Sequence, residues 1–312
     1  MNRWGKYGGL LSAGALVAAT LGSGTAAFGT TAVQTRSTQS ECVVNLGSVT
    51  AGGDHRMQTI QAEGKVVDNW IVAKDLYPDG QVRLSATVRY GPAEVGGMAH
   101  QGPVIMGSTM YDTSYITENG RGPVTQKQVT RVGPGWQVYR SLDRSTYVTA
   151  TKQRETEYSL RTDGTLYRRD VTYKDGVPSR RITGWQSGYR GVKAMTLISQ
   201  TATYDTFLMT LTSGKLYTAR LPLAGGQIIP GVVKQVRGST WQGFESLVAA
   251  ACWDGVMLLG IDKDTKSAYL YLVGHANGAA TSIQMIRKVP GTFGDPIYFH
   301  WQLFSGERLA GD

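Results

Sequence analysis

The sequence predicts an all-β protein, a β-propeller of five blades, each a four-stranded antiparallel sheet. Three observations predict it. Past the first 29 residues, apolar and polar residues alternate and helical periodicity is almost absent. Gly-containing turn pairs punctuate the alternating runs. A Trp-led pattern then recurs at about 50 residues, the length of one propeller blade.

The alternation is plain at Val82, Leu84, Ala86, Val88 and Tyr90, and again at Phe207, Met209 and Leu211. Asp79-Gly80, Asn119-Gly120, Asp163-Gly164, Asp175-Gly176 and Asn277-Gly278 supply turns, because Asn-Gly and Asp-Gly favour the positive φ of tight hairpins. The repeat has two marks. Trp136, Trp185 and Trp241 are each followed by Gln, then by an aromatic and an aliphatic residue. About 30 residues on come Leu166-Tyr167, Leu216-Tyr217 and Leu270-Tyr271. A fifth start has Phe293 in place of Trp. Each blade leaves apolar faces that only its neighbours cover, so Trp136, Trp185, Trp241 and Phe293 are expected to fill space between blades. The first unit begins in mid-pattern near Trp70 and the fifth stops near Phe304. The two halves are expected to complete one blade, so that N- and C-terminal segments pair and close the ring.

The N-terminus has its own character. Arg3 and Lys6 precede an uncharged apolar stretch, and small residues follow from Gly22 to Ala27. This order is that of a secretory signal peptide over residues 1–29. The stretch is interrupted by Ser12, Gly14 and Thr20, and is short against the roughly 20 apolar residues of a membrane span. Residues 30–60 are expected as a lead-in segment and 61–312 as a single propeller domain. In an exported chain the two cysteines, Cys42 and Cys252, are most simply one disulfide. The alternative is two free thiols, since Cys252 lies in an apolar run.

The formal net charge is +9. It concentrates in residues 152–193, with ten Lys or Arg against five Asp or Glu. Such a cluster is either a face for an acidic polymer or protein or an ordinary solvated surface. Export disfavours nucleic acid as a partner.

The Trp-x2-aromatic-x2-aliphatic start, followed by Gly-x-Leu-Tyr, resembles tachylectin-type lectin propellers. The first unit departs from it in lacking the Trp. The resemblance implies five blades, a monomeric carbohydrate-binding protein and N-acetylated amino sugars as ligands, one site per blade. Aromatic platforms with polar edges suit sugars. On that reading Tyr167, Tyr217 and Tyr271 are the platform candidates, with Asp163 and Asn119 at matching turns. Each Tyr has the alternative of packing against the next blade.

No Gly-x-Ser-x-Gly elbow stands in the chain past the signal, and no His-Glu-x-x-His or phosphate loop is present, so no catalytic residue, metal or cofactor is assigned. The histidines, His55, His100, His275 and His300, show no metal spacing; His300 is expected as a packed side chain. A glycoside hydrolase needs two carboxylates close together. Asp112, Asp205, Asp254 and Glu245 are its candidates by proximity to aromatics. The chain thus reads as a secreted, lectin-like ligand-binding propeller. A basic extracellular interaction scaffold and a secreted glycoside hydrolase are the alternatives.

Overall fold

Alternation along the sequence becomes strand along the backbone almost throughout. The computed structural model describes residues 42–312 apart from Asp175, Gly225 and Gly226; the expected signal peptide lies outside the described residues. The strands are β1 (Val43–Val49), β2 (His55–Gln61), β3 (Val66–Ala73), β4 (Val82–Ser85), β5 (Val88–Pro92), β6 (Met98–Met106), β7 (Thr109–Thr117) and β8 (Val124–Pro134). They continue as β9 (Tyr139–Val148), β10 (Gln153–Arg161), β11 (Leu166–Lys174), β12 (Val177–Gln186), β13 (Val192–Gln200), β14 (Tyr204–Leu211), β15 (Leu216–Pro222) and β16 (Val232–Arg237). The last are β17 (Ser246–Cys252), β18 (Gly255–Asp262), β19 (Ser267–Val273), β20 (Ile283–Val289) and β21 (Ile297–Leu303).

β9–β12, β13–β16 and β17–β20 each form a four-stranded antiparallel sheet in sequence order. β5–β8 form a similar group, with β4 also on β6. The remaining group is non-sequential, β3-β2-β1-β21. Its C-terminal strand pairs antiparallel with the N-terminal one, from Leu46 opposite His300 to Val49 opposite Ile297. A short parallel pairing of β21 with β5 joins these two groups edge to edge.

The sheets stand around an axis. β9 touches β4 and β13; β17 touches β13, β1 and β21; β21 touches β4. Apolar cores fill the gaps between neighbours. Val44, Leu46 and Ile60 of the first group meet Val248, Met257 and Leu259 of the last, and Trp301 and Tyr77 meet Val88 and Val104. The molecule is an all-β propeller in which the two ends of the described chain share one sheet.

Two expectations about the strands change. The expected 30–60 lead-in contains β1 and β2, whose residues Val44, Leu46 and Ile60 are buried in the closing sheet. The N-terminal segment therefore gives three strands and the C-terminal segment one. The run from Val82 to Tyr90 is also two strands, β4 and β5. Opposite the break stands Pro103 of β6, which has no N–H for the ladder, and its carbonyl instead accepts from the Ser85 hydroxyl at 3.0 Å.

Cys42 and Cys252 are joined, with Cα atoms 4.8 Å apart and 210 residues between them. The bridge fastens the start of β1 to the end of β17, across the seam at which the ring closes. Loop entropy puts its contribution at about 5 kcal/mol.

On the other side of the closing sheet, against the β5–β8 group, lies a buried aromatic cluster. His55 lies within 6 Å of the rings of Tyr77, Tyr115, Phe299 and Trp301. His100 stacks on Tyr115 at 4.7 Å. His55 Nδ1 bonds the Tyr115 hydroxyl at 2.8 Å and His100 Nε2 bonds Thr117 Oγ1 at 3.0 Å. Among the described residues, no carboxylate bonds either ring. Burial pushes His55 down to about 3, with His100 adding repulsion, and burial pushes His100 down to about 4.

Two outcomes follow from these two interfaces. The intact mass without reductant should be two hydrogens below the reduced mass, and Cys42→Ser with Cys252→Ser should lower unfolding free energy by about 3–5 kcal/mol; equal masses would refute the bridge. Because both histidines titrate lower when folded, stability is full above the unfolded value near 6.5 and falls as pH drops toward 4. Denaturant unfolding across that window should show a slope of about 1.4 kcal/mol per pH unit per histidine, and His100→Gln should remove one share.

Candidate ligand-binding site

The chain must return from the outer edge of each sheet to the axis before it can start the next. Every return is fastened in one way. The main-chain N–H of an aromatic residue donates to a carbonyl in a hairpin turn of the sheet just left: Tyr77 to Gly53, Trp136 to Ser108, Tyr189 to Gly164, Trp241 to Gly214 and Phe293 to Lys266, all at 2.9–3.0 Å. All five aromatics are less than a tenth exposed. Gly164 shows why the turn is tight: its φ is +88°, and a Cβ there would lie 2.4 Å from the Arg190 nitrogen.

This register corrects part of the sequence reading. Trp136, Trp241 and Phe293 are anchors, but the third anchor is Tyr189. Trp185 lies four residues earlier at the end of β12, 36 % exposed, where its N–H bonds the Gln227 carbonyl. Asp163 belongs to an anchor turn, with Oδ1 accepting the Thr165 N–H at 2.9 Å. Asn119 does not: it is exposed in the β7–β8 connection, one strand out from the anchor turn at Gly107-Ser108.

All five anchors lie on one face. The residues just after them begin the axial strands, so that face carries the mouth of a channel of about 270 Å³. Arg83, Arg140 and Lys193 stand at the mouth, one each on or just ahead of β4, β9 and β13. Lys263, from the β18–β19 turn, and Glu245 complete it. Arg83 Nε donates to the Gly107 carbonyl at 2.7 Å and Nη2 to that of Trp136 at 2.9 Å. Arg140 Nη2 donates to the carbonyls of Tyr189 and Arg190 at 2.8 and 2.9 Å. Lys263 Nζ donates to the Pro296 carbonyl. Lys193 pairs with Glu245, whose other oxygen accepts the Lys263 N–H at 2.8 Å. Burial pushes both Lys263 and Arg140 below their ordinary ranges, against nearby Glu245 and Asp163 respectively.

Ser85, Thr87, Ser141 and Thr196 line the walls. Deeper, Asp143 and His300 border both this channel and a smaller void beneath it. Asp143 accepts the N–H groups of Arg144 and Leu197 at 2.7 and 2.9 Å. Burial raises it to about 6 against those bonds and the nearby His300. His300 Nε2 faces Glu307 Oε2 at 3.0 Å. Burial alone would lower this histidine; Glu307 outweighs it and holds the ring above its ordinary value. Glu307 opens a C-terminal strap across the far end. Its carbonyl accepts from Gln200, Gly311 bonds the Ile198 carbonyl at 2.9 Å, and Asp312 accepts from Thr206 at 2.6 Å. His300 is therefore part of the channel rather than a packed core side chain.

The other residues singled out from sequence lie elsewhere. Tyr167 faces Tyr139 at 6.3 Å, and the guanidinium of Arg169 fills the space between Tyr167, Tyr139 and Trp136. Tyr271 packs on Trp241 at 5.1 Å. Tyr217 donates to Gln235 at 2.9 Å on the surface. The three tyrosines sit in three different sheets. Among the hydrolase candidates, Asp112 is paired with Arg180 and Asp205 with Arg154, and Asp254 is an exposed turn residue. Only Glu245 reaches the channel. The basic stretch 152–193 is largely turned inward. Arg154 and Arg180 serve those two pairs, Arg168 bonds Thr183 and Lys193 holds Glu245. Lys152, Lys174, Arg190 and Arg181, the last near Asp170, are exposed. The rim cations do leave a sequence trace, Arg140 and Lys193 each four residues past an anchor, but the trace appears only once Tyr189 replaces Trp185.

No protein-family model matches the chain, and no curated protein matches it. Among solved structures, the WD40 domain of SCAP from fission yeast superposes at TM-score 0.36 and 7 % identity, over 80 % of this chain and 70 % of that one. A Bacteroides fragilis protein described as a candidate 6-phosphogluconolactonase gives TM-score 0.36 and 10 % identity, over 84 % and 98 %. Likenesses this distant carry neither architecture nor function across; the propeller rests on the strand pairing above. Among the described residues, no helix is long and apolar enough to cross a membrane, and no three His, Cys, Asp or Glu are grouped to hold a metal.

The Glu307–His300 contact makes a direct forecast. Glu307→Gln removes the charge that holds the ring up, so the His300 pKa followed by NMR should fall below its wild-type value. An unchanged titration would show that Glu307 does not set it.

Proposed function

We propose that this chain is an exported, non-enzymatic, five-bladed propeller that binds the end of a glycan in the mouth of its axial channel. The carrying observation is the channel itself: a polar, half-open cavity, bordered by axial strands of every sheet and crossed at its far end by the C-terminal strap. Hydroxyl, carbonyl and charged groups converge there, as recognition of a hydroxyl-rich ligand requires. Five strand groups and five anchored returns support the blade count. Export is supported by the N-terminal pattern and by the cystine. The sugar class rests on the likeness to lectin propellers.

Binding is favoured over hydrolysis because the channel carboxylates are engaged. Asp143 accepts two main-chain N–H groups, Glu245 holds Lys193 and a main-chain N–H, and Glu307 holds His300 and the Ala251 N–H. No pair stands free to serve as acid and base. A second reading, a scaffold for protein partners, is favoured by Trp185 and Ile228, exposed side by side on the outer edge of one sheet.

A glycan array with the purified protein tests the first reading. Ser141→Tyr, which narrows the channel, should abolish binding while the melting temperature holds, and Tyr217→Ala should leave binding intact. Binding that survives Ser141→Tyr would move the site off the channel; binding to no glycan would remove the sugar reading.

A further inference from the structure

We infer that the channel mouth selects an oxyanion, so that its ligand is a saccharide bearing a carboxylate or sulfate; the saccharide part rests on the proposed function. The balance of charge at the rim carries the inference. In the channel lining at the rim, Arg83, Arg140, Lys193 and Lys263 face one carboxylate, Glu245, whose ion pair is with Lys193; Asp163, outside the lining, also acts on Arg140. The other three cationic heads are fixed on main-chain carbonyls. A carbonyl orients a cation without cancelling its charge, so the mouth keeps a net positive field. The low-dielectric walls of a cleft concentrate such a field.

A second, independent observation lies in the donors left over. Arg140 spends one Nη on two carbonyls, which leaves its other Nη unspent. Arg83 uses Nε and one Nη, which leaves its other Nη unspent. A guanidinium N–H with no protein partner is suited to an oxyanion. Two such groups, on the neighbouring strands β4 and β9, are held at the mouth by the same bonds that fasten neighbouring sheets. The one acid deeper in the channel lining, Asp143, accepts two N–H groups and lies beside His300, below the rim cations.

Titration calorimetry on the purified protein should use sodium glucuronate, glucose and sodium sulfate as probes. Glucuronate should bind at least about tenfold more tightly than glucose, with sulfate competing. Arg140→Gln should weaken glucuronate about tenfold or more and abolish its advantage over glucose. If Arg140→Gln does not fold, Lys263→Met should show the same loss. Equal affinity for glucuronate and glucose, or glucuronate binding untouched in a folded variant, overturns the inference. The two readings separate cleanly. Neutral glycans bound in the channel with no preference for glucuronate would sink the oxyanion inference and keep the glycan reading. Sulfate bound through Arg140 with no saccharide bound would do the reverse, and no binding of any probe overturns both.

Discussion

Everything in this propeller hangs on how the chain gets back to the axis. A sheet that ends at its outer edge must send the chain over its own top to start the next. The returning segment carries polar main chain across a dry surface. The hydrogen bond from Tyr77, Trp136, Tyr189, Trp241 or Phe293 to a turn carbonyl satisfies one of those groups at each crossing. The attached ring buries apolar area in the same step, on the order of 2–3 kcal/mol for a large side chain. The positive-φ turns, from Gly53 to Lys266, present the carbonyls. Once the five crossings are fixed, the first residues of the axial strands have no choice but to converge, and the channel mouth is the place where they do.

This view explains which parts of the fold were legible in the sequence. Strand content, hairpin turns and the pairing of the two ends follow from local alternation and from incomplete units at each terminus. The register of the repeat was only partly legible. The anchor position asks for a large ring and a main-chain N–H, which Trp, Tyr and Phe all supply. A search keyed on Trp-Gln therefore found Trp136 and Trp241, was drawn to Trp185, and passed over Tyr189 and Tyr77. The turns went astray for a related reason: Asn119-Gly120 and Asp79-Gly80 have the residues of a tight turn but lie away from the anchor hairpins, while the second-sheet anchor turn is the plain Gly107-Ser108. The channel was illegible for a deeper reason. Its lining comes from six separate stretches, and only closure of the ring brings them together.

Charge behaves likewise. Read along the chain, residues 152–193 are a basic block. In the fold, Arg89, Arg144 and Arg180 meet Asp112, Glu155 and Glu157 between two neighbouring sheets, three cations against three anions. Arg154 meets Asp205 at the next junction, where the Tyr158 hydroxyl also donates to Asp205 at 2.7 Å. Pairing of this kind roughly offsets the cost of burial, whereas loss of one partner from a buried pair typically costs 3–5 kcal/mol. Arg154 and Arg180 of the block are thus spent on holding one sheet to the next, while Lys152, Lys174, Arg181 and Arg190 stay exposed.

At the channel mouth, structure and binding use the same atoms. Arg83 bonds the carbonyl of Trp136, and Arg140 those of Tyr189 and Arg190. Each cation of one sheet is tied to the crossing that leads to the next. A ligand held by Arg83 and Arg140 would rest on two crossings at once. Bound to the closed ring and not to the open chain, it would stabilise closure by RT ln(1 + [L]/Kd), about 2.7 kcal/mol at a hundredfold excess over Kd. The carbonyl anchors also limit what binding costs. Long, flexible cationic side chains ordinarily lose rotamer freedom when they grip a ligand, and here much of that loss has already been taken in folding. A rigid rim on a ring closed by pairing and by a cystine is therefore suited to holding a small ligand without moving, and that is the behaviour of a binding module.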